Sequence, residues 1–259
     1  MLDSSPFSGP ASSNGESHGA FASRRLRQAF VSCELVPSHY VHEADLEQRF
    51  GLGRAAVRVA LTELAVAGFV IRHARQGWLV APVDGALASA IVEARLRLEL
   101  ALIERSLDDQ RKSTLHGLRG AIEAVWGRDD PTARAMAHQL CRQAYDLLAQ
   151  NAGRFVESWL RDLWDHAERL TRSLELAGQV VAPSDPRPLL AALLAGDREA
   201  ARQALHDEQT RFRDAVALGF LAAGHLFPQA RHAPVRSRRP DRKTNDRKPS
   251  PTLSEEKSR

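Results

Sequence analysis

The chain has 259 residues, of which 43% are apolar and 26% charged, enough for one large domain or two ordinary domains with cores of their own. The sequence has no apolar run of 18 residues and starts with polar residues, which argues against a membrane span and a secretory signal. Its two cysteines, Cys33 and Cys141, are too few for a disulfide scaffold or a thiolate zinc cluster, and they favour a reducing cytoplasm. The formal charge of +4 is uneven, because residues 228–259 hold ten Lys/Arg against four Asp/Glu and the preceding residues sum to −2.

Both terminal segments lack the hydrophobic spacing of folded structure. Residues 1–20 are rich in Ser and Gly, and residues 228–259 are basic, contain proline and have few apolar side chains. These compositions predict a disordered N-terminal segment and a basic disordered tail. The tail is expected either to add non-specific attraction to DNA or to be a solvated terminus without a role.

The residues between these segments form two stretches of different character. Residues 21–83 mix short helical periods with Val-rich segments and carry eight Arg against five acidic residues. Residues 84–227 carry eighteen basic against twenty-one acidic residues, and Pro131, after two aspartates, marks a helix start there. We therefore expect one domain at 21–83 and a second, all-helical domain at 84–227.

The first domain has the layout of a helix-turn-helix. A helix near 22–32 and a short extended segment precede the run EADLEQRFGLGRAAVRVALTELAVA at 43–67, in which one short helix stops at Gly51-Leu52-Gly53 and a second begins at Arg54. In the second helix the predicted buried stripe is Val57, Ala60, Leu61 and Leu64. The opposite face is predicted to be exposed and to enter a DNA major groove, with Arg54, Ala55, Arg58 and Thr62 as candidate DNA-binding residues.

A hairpin is predicted directly after this second helix. Residues 69–73 and 78–81 alternate enough for two short strands, and the turn Arg75-Gln76-Gly77 joins them. Such a hairpin is a wing, which makes Gln76 and Gly77 further candidates for DNA contact. The alternative is a small packing module whose arginines are merely solvated.

These landmarks resemble the winged helix-turn-helix of GntR-type transcriptional regulators. In that family the recognition helix usually starts Ser/Thr-Arg-x-x-Val/Leu-Arg, and here the run is Gly53-Arg54-Ala55-Ala56-Val57-Arg58. The resemblance implies that both arginines contact DNA and that Gly77 is the wing glycine. Two positions depart from the pattern, since Gly53 replaces a hydroxyl residue and Ala44 stands where many members have a polar or basic residue.

The second domain is predicted to be an antiparallel bundle, which makes the fold class mainly α: an N-terminal winged helix-turn-helix followed by an all-α antiparallel helical bundle. Apolar residues recur at three- and four-residue spacing throughout. The predicted helices lie near 86–106, 114–126, 131–150, 154–177, 187–195 and 197–222.

This domain resembles the FCD effector domain of the same family, which commonly holds a metal and a small carboxylate. The runs VEARLRLE at 92–99 and LLAGDREAA at 193–201 carry the likeness. The family's Asp and three His ligands fall on Cys141, Tyr145, Pro186 and Glu208, so the resemblance implies neither a metal nor a cofactor here. The remaining histidines of the bundle, His116, His138, His166 and His206, are expected to be helix-face residues.

A pocket for a carboxylate is still expected, with candidate effector-binding residues Arg95, Arg142, Tyr145 and Glu208. The resemblance directs Arg95 toward a ligand, and a guanidinium can hold a carboxylate without a cation. The alternative is that Arg95 pairs with Glu99 on a solvated helix face.

The sequence therefore predicts a cytoplasmic homodimer that binds a double-stranded DNA operator, responds to a small-molecule effector and has no membrane association. The alternative is a ligand-independent repressor whose bundle only dimerises. An enzyme of the aminotransferase-like branch is disfavoured, because that branch needs a Schiff-base lysine and Lys112 is the only lysine before the tail. No phosphate-binding loop or nucleophile-elbow motif is present either.

Overall fold

The computed structural model of the chain describes residues 17–179, 181 and 184–223. The predicted tail at 228–259 and most of the predicted disordered segment at 1–20 lie outside these residues. None of the helices in the described ranges is long and apolar enough to cross a lipid bilayer.

The N-terminal domain contains three helices and a small antiparallel sheet. The helices are α1 (His18–Val31), α2 (Glu43–Phe50) and α3 (Arg54–Val66), and the strands are β1 (Tyr40–Val41), β2 (Val70–His73) and β3 (Gly77–Val80). The strand order is β1-β3-β2, so that β3 pairs with both neighbours. The predicted winged helix-turn-helix is confirmed, and the predicted extended segment supplies β1.

The start of α1 differs from the prediction. The helix begins at His18, so residues 18–20 are helical and do not belong to a disordered segment. The cause is Ser17, whose side chain accepts a hydrogen bond from the Ala20 N–H and caps the first turn.

The core of this domain lies between α1 and α3. The predicted stripe of α3 is confirmed, since its four residues are at most 2% exposed. Leu26 and Phe30 of α1, together with Phe69 at the start of the hairpin, are fully buried in the same cluster. This packing fixes one face of α3 inside the domain and leaves the other in solvent.

In the described part of the C-terminal domain, all regular secondary structure is helical. Its helices are α4 (Gly85–Leu98), α5 (Ala101–Glu104), α6 (Asp109–Val125), α7 (Pro131–Ala152), α8 (Arg154–Leu176), α9 (Arg187–Ala195) and α10 (Arg198–Ala223). Pro131 is the first residue of α7, as predicted, and the Asp130 side chain accepts from the Ala133 N–H. The bundle prediction is confirmed at the level of fold class.

Two predicted boundaries in the bundle are wrong. The helix expected over 86–106 breaks after α4, where Leu102 N–H donates to the Glu99 carbonyl at 3.0 Å, a tighter spacing than that of an α-helix. Helix α6 begins at Asp109 and not near 114, because Asp108 accepts from the Arg111 N–H at 2.7 Å and caps the helix earlier.

Helix α8 contacts both domains. One side of it lies in the bundle core, where Leu160, Leu170 and Leu174 are fully buried. The other side faces the N-terminal domain, and α8 packs against α1 as well as against α4, α7 and α10.

The junction between the domains is mostly polar. Arg27 of α1 forms ion pairs with Asp162 and Asp165 of α8. His166 lies 2.7 Å from the Ala67 carbonyl through Nε2, and its ring stacks on Phe69 with the centroids 4.2 Å apart. These contacts hold the end of α3 and the start of the hairpin against the bundle.

Candidate functional site

The turn between α2 and α3 sets the direction of the exposed helix face. Gly51 ends α2 in the left-handed conformation, with φ of 63°, and its N–H donates to the Glu47 carbonyl. Leu52 is buried beneath the turn, and Gly53 is extended before α3 begins at Arg54. The glycine therefore permits the tight change of direction that separates the two helices.

The four candidate residues of α3 share one solvent-exposed face. Arg54 and Arg58 have 73% and 59% of their side chains exposed, and Ala55 between them is also exposed. Thr62 continues this face, and its hydroxyl donates to the Arg58 carbonyl at 2.9 Å. Small or internally bonded side chains around two arginines leave room for close approach to a groove.

The arginines on this face have acidic neighbours on α2. Arg58 donates to Glu43 Oε2 from Nε at 3.2 Å and from Nη2 at 2.9 Å, and this bond lowers the pKa of Glu43 below its usual value. Arg54 lies 3.9 Å from Glu47. The sequence did not reveal the Arg58–Glu43 pair, because the partners are fifteen positions apart and meet only when α2 packs on α3.

The wing projects Gln76 into solvent and holds Gly77 against the sheet. A Cβ on Gly77 would lie 2.7 Å from both the Val41 carbonyl and His42 Nδ1, and its φ is +88°. The close neighbours and the positive φ therefore both favour glycine at position 77. Two further exposed arginines, Arg72 and Arg75, flank the tip and were not among the predicted residues, although the run RHARQG carries them.

Arg95 is buried and bound within the bundle. It is 6% exposed, its Nε donates to Glu99 Oε1 at 2.7 Å, and its guanidinium carbon lies 4.2 Å from the Phe212 ring centroid. Glu99 also accepts from Trp164 Nε1 at 2.9 Å and from Gln209 at 3.0 Å. The alternative pairing with Glu99 thus occurs, but the solvated face expected with it is wrong because helix α10 covers the pair.

Tyr145 and Glu208 lie in the same buried region, whereas Arg142 faces elsewhere. Burial, followed by the charges of Glu208 and Glu99, raises the pKa of Tyr145, and Glu208 accepts from Arg211 at 2.8 Å. Arg142 instead donates to Asp165 at 2.8 Å, on the outer side of α7 and α8. The structure therefore brings three of the four candidate effector residues near one another and separates the fourth.

The residues aligned with the family's metal ligands do not assemble donors. Burial raises the pKa of Cys141 to about 11, so its thiol is protonated near neutral pH, and the Pro186 side chain has no atom that can bind a metal. His138 is 3.9 Å from Glu168, and His206 is exposed. Within the described ranges, no three His, Cys, Asp or Glu side chains form a group that could hold a metal ion.

Comparison with known protein families finds a match for the N-terminal domain. Residues 20–80 match the family model of bacterial regulatory proteins of the gntR family, so this part of the chain is similar to the winged helix-turn-helix domain of that family. A comparison of the sequence with curated proteins finds no significant match.

Solved structures share the fold over most of the chain. McbR/YncC from E. coli is similar with a TM-score of 0.63 and 20% identity, over 81% of this chain and 100% of that chain. A transcriptional regulator structure, GntR, from Rhodococcus sp. RHA1 is similar with a TM-score of 0.60 and 20% identity, over 80% of this chain and 99% of that chain. At this identity the likeness shows a common fold, which is a winged helix-turn-helix joined to a helical domain.

Proposed function

We propose that this protein is a transcriptional regulator that reads a double-stranded DNA operator with α3 and its wing. The observation that carries the proposal is the pair Arg54 and Arg58, one turn apart on the exposed face of a GntR-type recognition helix. A guanidinium can donate two hydrogen bonds to guanine O6 and N7, which gives about 1–3 kcal/mol of discrimination against other bases.

DNA binding requires Arg58 to exchange its partner. In the free protein Glu43 holds the Arg58 guanidinium with two hydrogen bonds. The phosphate backbone of DNA repels the Glu43 carboxylate, whereas the released Arg58 guanidinium can donate hydrogen bonds to the edge of a base. Glu43 therefore keeps Arg58 extended on the correct face before DNA arrives and reduces its attraction to non-specific DNA.

Substitution of the two arginines tests the proposed readout. We expect Arg54→Ala and Arg58→Ala each to weaken binding to an operator selected from random-sequence DNA by about 1–3 kcal/mol, measured by fluorescence anisotropy at fixed salt. Arg97→Ala is the matched control, because Arg97 is an exposed arginine on α4 with 78% of its side chain accessible. Parent-like binding by both α3 variants would contradict the assignment of the helix.

We propose further that the protein acts as a homodimer. Large apolar side chains are exposed on two bundle helices, namely Phe155, Trp159, Leu218 and Leu221. A two-fold dimer would present two recognition helices to an inverted or near-inverted repeat. Light scattering should give twice the chain mass, and footprinting should show two half-sites; a single unpaired half-site would contradict the dimer.

The effector response has two candidate forms. The first is sensing of a small carboxylate by the helical domain, with Arg142 as the solvent-accessible member of the candidate set. The second is a bundle that only dimerises, which the internal Arg95–Glu99 pair favours because Glu99 already supplies the carboxylate that Arg95 would otherwise bind. A thermal-shift screen with short carboxylates separates them, since a protein that binds one of them melts at a temperature that rises with the concentration of that ligand.

A further inference from the structure

A cleft of about 380 Å³ lies at the junction of the two domains. Arg27 of α1 lines it from the DNA-binding domain and Arg142 of α7 from the bundle, while its floor is one face of α8 that includes Arg154, Ser158, Arg161 and Asp165. Its volume is near the lower end of the roughly 300–1,000 Å³ that ligand pockets occupy, which suits a small metabolite.

The residues that line the cleft carry a net positive charge. Four arginines line it against three acidic residues, and most of these groups are already paired. Arg27 is bound by Asp162 and Asp165, and Arg142 also donates to Asp165.

At the other end of the cleft, Arg161 lies 3.0 Å from Glu157. Arg154 differs from the other three arginines of the cleft. Among the described residues its guanidinium has no ion pair and no hydrogen bond, and its guanidinium carbon lies 5.5 Å from the Phe155 ring centroid. Ser158, one helical turn farther on, is exposed and has no hydrogen-bond partner in the described part of the chain. This end of the cleft therefore offers unused donors.

We propose that the cleft binds a small hydroxylated organic anion, whose carboxylate or phosphate is held by Arg154 and whose hydroxyl groups bond Ser158 and the acidic side chains. A guanidinium matches either acid group with two parallel hydrogen bonds. The lining consists of charged side chains and one serine, so a long acyl chain finds no apolar side chain to pack against there. The site is separate from the buried Arg95 cluster.

A ligand in this cleft contacts both domains. Arg27 belongs to the helix that packs on α3, and it ties that helix to α8 through Asp162 and Asp165. A bound anion adds contacts to one arrangement of the two domains and so shifts the population toward it. This consequence for operator affinity rests on the proposed function, whereas binding itself does not.

The test measures binding to the full chain without DNA. Isothermal titration compares glycerate, glycerol 3-phosphate and uncharged glycerol, three probes with the same carbon skeleton. We expect at least one of the two anions to bind and glycerol not to bind, and the stronger of the two anions identifies the acid group. Arg154→Gln should weaken that binding about tenfold or more, whereas the matched exposed variant Arg97→Gln should leave it unchanged. Circular dichroism melting of both variants without ligand verifies that each is folded.

The outcomes distinguish this inference from the proposed function. No binding by either anion, or equal binding by Arg154→Gln and the parent, overturns the cleft site while operator binding can still stand. Anion binding that depends on Arg154 supports the site even in a protein that fails to select an operator, and that failure would overturn the proposed function alone.

Discussion

His166 is a half-buried titratable residue at the junction of the domains. Its Nε2 is engaged by the Ala67 carbonyl, and its Nδ1 is buried without a partner in the described ranges. Burial, with smaller effects of the nearby Arg169 and Arg27 guanidinium groups, lowers the pKa of His166 below 6.5, against the opposing effects of the Ala67 bond and Asp162. The folded chain therefore favours the neutral imidazole.

This lowered pKa predicts a loss of stability in mild acid. As the pH falls below about 6.5, the unfolded chain binds a proton at His166 that the folded chain does not, so the free energy of unfolding falls until the pH passes below the folded-state pKa. Urea denaturation over this pH range should show a shallower decline for His166→Gln, which cannot bind that proton. Equal pH slopes for the two proteins would contradict this role of His166.

Gly77 is a residue whose backbone conformation and surroundings both exclude a side chain. We expect Gly77→Ala to destabilise the protein by about 1 kcal/mol or more, because φ is positive and the new Cβ would collide with the Val41 carbonyl. Gly85→Ala is the control, since Gly85 has no heavy atom within 4 Å of an added Cβ. Urea denaturation measures both, and similar stabilities of the two variants would show that the wing can relax around the methyl group.

At the scale of elements, α8 connects the two domains through its acidic side chains. Asp165 is bound by Arg27 of the N-terminal domain and by Arg142 of the bundle. We expect Asp165→Asn to lower the free energy of unfolding by about 1–3 kcal/mol, because two charge-assisted hydrogen bonds are weakened together. The exposed control is Asp214→Asn, with 57% of its side chain accessible. Equal unfolding free energies for the two variants would indicate that the junction does not depend on this carboxylate.

Elements with local signals could be predicted from sequence, and those decided by packing between distant segments could not. The apolar period of α3 and the Asp-Pro start of α7 are local, and both were predicted correctly. The burial of the Arg95–Glu99 pair depends on α8 and α10, which supply Trp164 and Gln209 as partners of Glu99. Likewise, Arg27 and Arg154 line one cleft although 127 positions separate them, so no spacing in the sequence points to that site.

At the scale of the whole molecule, the positive charge is concentrated near the C-terminus. Residues 231–259 hold ten of the 36 Lys/Arg. We expect deletion of 231–259 to weaken binding to all DNA sequences by a similar factor and to flatten the dependence of affinity on salt, because these cations neutralise phosphates without reading bases. Anisotropy titrations at several salt concentrations measure both effects, and a loss of operator preference on deletion would show that the segment contributes to base readout.

Arg169 of α8 connects the bundle to the N-terminal domain at a cost to stability. It is fully buried and donates to the Ala81 carbonyl just after β3, but its Nε and Nη1 have no partner among the described residues, and burial lowers its pKa to about 10. An apolar side chain of similar length would remove that penalty and would also remove the link to the wing. Selection for a more stable protein and selection for a fixed arrangement of the two domains therefore oppose each other at this position.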